Sequence, residues 1–174
     1  KVALNPEAKL PARLVALEFL SVTPVPPIRL ARSLAELLSP SESAEIQLAA
    51  VDAISASGGY RTPDILLAGW KSHSPRTRAA VTSRLLERAV WSQELLRKVQ
   101  FEVIAPSEIG AAQRQSLLNS PDAEIKKLAA SVFQESSNAN RAAIIESFSP
   151  VKELTGDMAR GTEVFKKRCG SCHQ

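Results

Sequence analysis

Ala44-Glu45-Ile46-Gln47-Leu48-Ala49-Ala50-Val51 is the stretch that decides the fold. Its apolar side chains fall at helical rather than alternating spacing, alanine is the strongest helix former, and Ser41 or Ser43 offers a cap just ahead of it. Two other stretches share this build: Pro75-Arg76-Thr77-Arg78-Ala79-Ala80-Val81 and Asp122-Ala123-Glu124-Ile125-Lys126-Lys127-Leu128-Ala129-Ala130. Aligned on the alanine pairs at 49, 79 and 129, they are offset by 30 residues (79 minus 49) and 50 residues (129 minus 79). A fainter copy, Arg13-Leu14-Val15-Ala16-Leu17, stands 34 residues before Ala50 (50 minus 16).

Outward from these starts, apolar residues recur at helical spacing along nearly the whole chain, interrupted by Pro, Ser and Gly. A first helix is predicted from about Glu7 to Ser21, with Leu10, Leu14, Leu17 and Leu20 on one stripe, closed by Pro24, Pro26 and Pro27. Others are predicted over Ile28 to Leu38, over Ala44 to Ser57 with Gly58-Gly59 as the stop, and from Thr62, as cap before Pro63, to Trp70. Ser74-Pro75 starts a helix to about Ala89, and Ser92 starts one to about Ile104. One follows Pro106-Ser107, one follows Ser120-Pro121-Asp122, and one covers Asn140 to Phe148.

At 174 residues and 44% hydrophobic the chain can bury a sizeable core, and seven glycines with few aromatics favour an all-α class. A net charge of +4 is too small for a dedicated nucleic-acid surface, so no nucleic-acid partner is expected. No run of about 18 apolar residues is present, so no membrane segment is expected. The chain opens on Lys1 and reads as an excised piece whose targeting signal lies elsewhere. Trp70 and Trp91 read as anchors between helices, His73 as an exposed turn residue, and the cations Arg76, Arg78, Arg84, Arg88, Lys126 and Lys127 as solvated faces. No phosphate-binding loop, zinc-protease helix, serine elbow or paired carboxylates appear, so there is no active site to nominate.

After Pro150 the character changes. Residues 1–150 read as one helical domain and 151–174 as a linker plus a closing helix from Asp157 to Cys169. That helix is expected to set Ala159, Val164 and Phe165 near one face, with Lys166, Lys167 and Arg168 beside the last residues. Those are Cys169-Gly170-Ser171-Cys172-His173-Gln174, which hold the only two cysteines. Cys-x-x-Cys-His is a c-type haem attachment signature: two thiols three positions apart add across the haem vinyl groups and the adjacent imidazole reaches the iron. A zinc site would need two more ligands, yet the only other candidate is His73. A thioredoxin-like pair would follow a strand, whereas this one ends a helix.

Variable 30- to 50-residue offsets of paired helices resemble HEAT repeats, an α-α superhelix of short antiparallel helices; an irregular helical bundle is the alternative. Gly156-Asp157 with Gly161, Phe165 and the Cys-x-x-Cys-His string resembles the first helix and haem-binding turn of a class I cytochrome c domain. The order of the two is similar to large planctomycete and verrucomicrobial haem-binding proteins, in which HEAT-like repeats precede a C-terminal cytochrome c domain and a dehydrogenase-like β-propeller often lies upstream. The resemblance implies that Cys169 and Cys172 form thioethers to haem c, that His173 is the proximal iron ligand, and that Phe165 packs at the haem edge while Gly161 admits a crossing helix. It also implies electron transfer with a redox partner or upstream dehydrogenase domain, in a periplasmic or cell-surface setting.

The family's proline-containing loop, distal methionine and terminal helix do not follow His173. Met158 lies about three turns before the motif on the same helix, so it is not read as the distal ligand. No haem is therefore expected on this chain by itself. Two other readings stay open: a HEAT-like module for protein–protein interaction with no haem function, and a thiol–disulfide centre at Cys169 and Cys172.

Overall fold

Helix starts follow the capping chemistry. The computed structural model of the chain describes residues 1–23 and 28–170, with side chains at all of these except 134–142. Among the described residues there is no strand, and the chain is all-α. The helices are α1 Leu10–Val22, α2 Ile28–Leu34, α3 Ala44–Ser55, α4 Thr62–Leu67, α5 Pro75–Leu85, α6 Ala89–Gln100, α7 Ala111–Leu118, α8 Ala123–Ser147 and α9 Met158–Arg168. The Ser43 hydroxyl accepts from the Ile46 N–H at 3.3 Å, Ser74 from Thr77 at 3.1 Å, and Asp122 from Glu124 and Ile125 at 2.9 and 3.2 Å. Each satisfies amides that the first helical turn leaves unpaired.

Several expected boundaries move. Thr62 is inside α4, and its fully buried hydroxyl pairs with Ser57 at 2.9 Å instead of capping. α6 begins at Ala89, because the Ser92 hydroxyl donates back to the Leu85 carbonyl at 3.1 Å and ties α6 to α5. The helices expected on either side of 134–140 are one 25-residue helix. The residues between them include no Pro or Gly, so nothing there stops a helix.

The end of α6 is built against residue preference. The Val103 N–H bonds the Lys98 carbonyl at 2.9 Å and the Glu102 N–H bonds Val99 at 3.0 Å, the two bonds of a Schellman motif. Its left-handed position, usually glycine, is Glu102 at φ 58°.

Two compact units divide the chain at Ser136/Ser137, inside α8; the boundary read from composition lay at 150. In the unit Lys1–Ser136, α1 to α6 form two layers by odd and even number. α3 packs on α1 and on α5, α4 packs on α2 and on α6, and successive helices from α2 to α6 pack across the layers. Gln113 on α7 donates to the Ala79 carbonyl at 3.0 Å and to Ser83 at 3.1 Å, which fixes α7 to α5.

The core is made by residues four apart: Ile46, Ala50 and Ile54 on α3, Thr77, Val81 and Leu85 on α5, and Ile125, Ala129 and Phe133 on α8, all 5% exposed or less. This register gives offsets of 31 (77 minus 46) and 48 (125 minus 77), so aligning the alanine pairs misplaces α5 and α8 by one residue in opposite directions. Ala79 is exposed whereas Ala129 is fully buried: an alanine fits either face of a helix, and the larger side chains choose which face is covered.

The unit Ser137–Gln174 contains the end of α8, a 3₁₀ turn at Ser149–Glu153, and α9. Its apolar side chains are uncovered: Ile144, Ile145, Phe148, Val151, Leu154, Met158, Val164 and Phe165 are all exposed.

Candidate functional site

α9 leads into Cys169 and Gly170, the two described residues of the cysteine motif. Asp157 caps its start, accepting from the Arg160 N–H at 3.1 Å, and Lys166, Lys167 and Arg168 fill its last turn, where positive charge complements the helix dipole. Cys169 is the C-cap; its N–H bonds the Phe165 carbonyl at 2.8 Å, and Gly170 bonds the same carbonyl at 2.9 Å. A Cβ at Gly170 would lie 3.2 Å from the Lys166 carbonyl oxygen, so a larger residue at this exit from α9 must push that neighbour back by a few tenths of an ångström. The Cys169 thiol is free and half-buried. Cys172 and His173, expected as second thioether and iron ligand, lie outside the described residues.

At about 100° per residue, Met158, Gly161, Phe165 and Cys169 share one side of α9. Phe165 is 50% exposed and Met158 is 90% exposed, and nothing lies within 4 Å of a side chain placed on Gly161. Ala159, expected beside Val164 and Phe165, is about 140° from Val164 and about 120° from Phe165 on the helix, so it belongs to a different side.

His73 is not the exposed turn residue that its sequence context suggested. Its backbone does turn, the N–H bonding the Trp70 carbonyl at 3.1 Å, yet the side chain is 5% exposed and its ring meets Trp70 edge-on at 6.4 Å. Gly69 at φ 74° makes the bend that turns the imidazole inward. His73 Nδ1 and Trp70 Nε1 are both buried, and neither finds a hydrogen-bond partner among the described residues. Burial, and then the nearby Arg78 guanidinium, hold the His73 pKa below its ordinary 6.5, against an opposing backbone hydrogen bond at Ala68.

Because the unfolded chain takes up that proton more readily, the His73 contribution to stability is constant above about pH 6.5 and is lost as the pH drops below it. In His73→Gln, the loss between about pH 6.5 and 5.5 should flatten. Urea melts at several pH values measure this, and an unchanged slope would contradict it.

Arg78, expected as a solvated charge, is a clamp. Its Nε donates to the Trp70 carbonyl at 3.0 Å, one terminal nitrogen to Lys71 at 2.9 Å and the other to Glu108, and the guanidinium stacks over Trp70 at 5.5 Å. Arg84 pairs with Asp52 at 2.8 Å and Glu87 at 2.7 Å, and Arg88 stacks on Trp91 at 4.7 Å. Trp70 and Trp91, each 3% exposed, are the buried anchors expected of them.

Gln47 was missed altogether. It is 4% exposed, donates to the Ser39 and Glu42 carbonyls at 3.1 and 2.8 Å, and accepts from the Thr77 hydroxyl. Its one sequence signal is a polar residue beside the buried stripe of α3.

Among the described residues, no three His, Cys, Asp or Glu side chains converge as a metal site, and no helix is long and apolar enough to cross a membrane. Comparison with family models, with curated proteins and with solved structures finds no match to this chain.

Proposed function

We propose that this chain joins a HEAT-like helical scaffold to the haem-attachment segment of a c-type electron-transfer protein. In this reading Cys169 and Cys172 are the thioether positions and His173 is the proximal iron ligand, with the distal ligand supplied from outside the chain. The supporting observation is the state of α9. It ends on a free, half-buried thiol, and the side of the helix bearing that thiol also carries an uncovered Phe165 and an open surface at Gly161.

An amphipathic helix with its apolar side bare needs a partner surface. A haem edge and a crossing helix fit there: Phe165 lies one turn before Cys169, and Gly161, two turns before it, lets a helix approach closely. Haem, when bound, supplies one-electron transfer; the chain's residues hold it, orient it and exclude water from one side. The electron source in this reading is a redox partner or a dehydrogenase domain of the same polypeptide, in the periplasm or at the cell surface. The two-layer stacking of α1 to α6 supports the HEAT-like part, since in such repeats each helix pair packs on the next.

Production of the whole gene product with a haem-attachment system tests the proposal. Haem absorbance should persist through denaturation and acid–acetone extraction; haem that extracts completely, or is never acquired, would overturn the reading.

A second reading, a protein-binding helical module, is favoured by an open groove between α2 and α4.

A further inference from the structure

We propose that the groove between α2 and α4 docks an acidic, apolar-bearing segment of a partner protein; this rests on the protein-binding reading and names its surface and ligand chemistry. The groove measures about 560 Å³. On one side its wall is Arg32, on α2, and Ala35, which opens the 3₁₀ turn after it. On the other side Arg61, at the head of α4, with Ile65 and Ala68, falls on a single side of the helix by the spacing i, i+4, i+7.

Four of the ten arginines in this unit, Arg13, Arg78, Arg84 and Arg97, reach carboxylates. Neither Arg32 nor Arg61 reaches one among the described residues, and both are exposed. Arg61 is oriented all the same. Its Nε donates to the Tyr60 hydroxyl at 3.1 Å and its guanidinium stacks on that ring at 5.6 Å, leaving the terminal nitrogens for a two-point carboxylate contact. The groove's own carboxylate, Asp64, is engaged by Lys98 at 3.4 Å.

Between the cations, Ile65 at 7% exposure with Ala35 and Ala68 forms an apolar floor, and Tyr60, 78% exposed, stands beside it. Two unpaired guanidiniums flanking apolar surface match a peptide in which acidic side chains bracket an apolar one. Asp64 in the wall disfavours a continuous phosphate chain.

The probe is a fluorescein-labelled peptide of sequence Glu-Glu-Leu-Phe-Glu-Glu, titrated with the full chain at low salt and read by anisotropy. Saturable binding should weaken about tenfold in Arg32→Gln/Arg61→Gln and tighten in Asp64→Asn, with far-UV circular dichroism unchanged in all three proteins. Binding unaltered by the double substitution would overturn the groove while leaving a protein-binding module elsewhere on the unit. Absence of saturation up to about 1 mM peptide would overturn the acidic ligand itself. Displacement of the peptide by an oligouridylate that needs the same two arginines would replace it with a nucleic acid.

Discussion

Replacing Cys169 and Cys172 together by alanine is expected to remove all covalently held haem from the gene product while leaving the helical unit folded. Each thioether needs its own sulfur, so the double variant has no covalent tether, whereas each single variant keeps one. The fold should be indifferent, because Cys169 bonds Phe165 through its backbone N–H, which alanine keeps, and Cys169 is not among the residues of the buried core. A stability change within about 0.5 kcal/mol is expected. Absorbance after denaturation, with a thermal melt beside it, reads both effects. Haem surviving the double substitution would mean that attachment occurs elsewhere.

Arg13→Ala is expected to cost the helical unit about 2–3 kcal/mol of stability. Arg13 is 7% exposed and grips three acceptors: its Nε donates to the Ala3 carbonyl at 3.0 Å, and its terminal nitrogens reach both oxygens of Glu42 at 2.9 and 2.6 Å. It thereby ties the N-terminal turn, α1 and the loop before α3 together. Truncation leaves the Glu42 charge and the Ala3 carbonyl unanswered. The Glu42 side chain keeps 21% exposure, and this water access holds the cost below that of a fully enclosed pair. Chemical denaturation measures the loss, and Arg13→Met/Glu42→Gln should recover part of it by removing the stranded charge. A loss under about 0.5 kcal/mol in Arg13→Ala would show the pair to be ornamental.

The all-α class and most helix starts were legible because caps are local. Ser43, Ser74, Asp122 and Asp157 each act within four residues of their own position, and Gly58 at φ 66° follows α3 close to where a stop was expected. Polar residues whose partners are distant in sequence were not legible. His73 looks like a turn residue because its backbone is one; only packing against Trp70 and Arg78 decides that its ring is enclosed. Arg78 finds Glu108 thirty residues away, and Gln47 finds Thr77 at the same separation, distances that no local pattern encodes.

Arg13 carried a usable signal. It stands one turn before Leu17 on the buried stripe of α1, where an uncompensated charge would be costly. In the candidate site, residue identity and spacing named Cys169, Cys172 and His173. What the fold adds is the helix end on which Cys169 sits and the bare apolar side beside it.

Digestion after Arg168 releases a peptide beginning at Cys169, which makes the central claim directly measurable. From the gene product matured with haem-attachment machinery, mass spectrometry of that peptide should show one haem joined through both Cys169 and Cys172, with neither sulfur open to alkylation. Recovery of the peptide without haem and alkylated at both cysteines would contradict it.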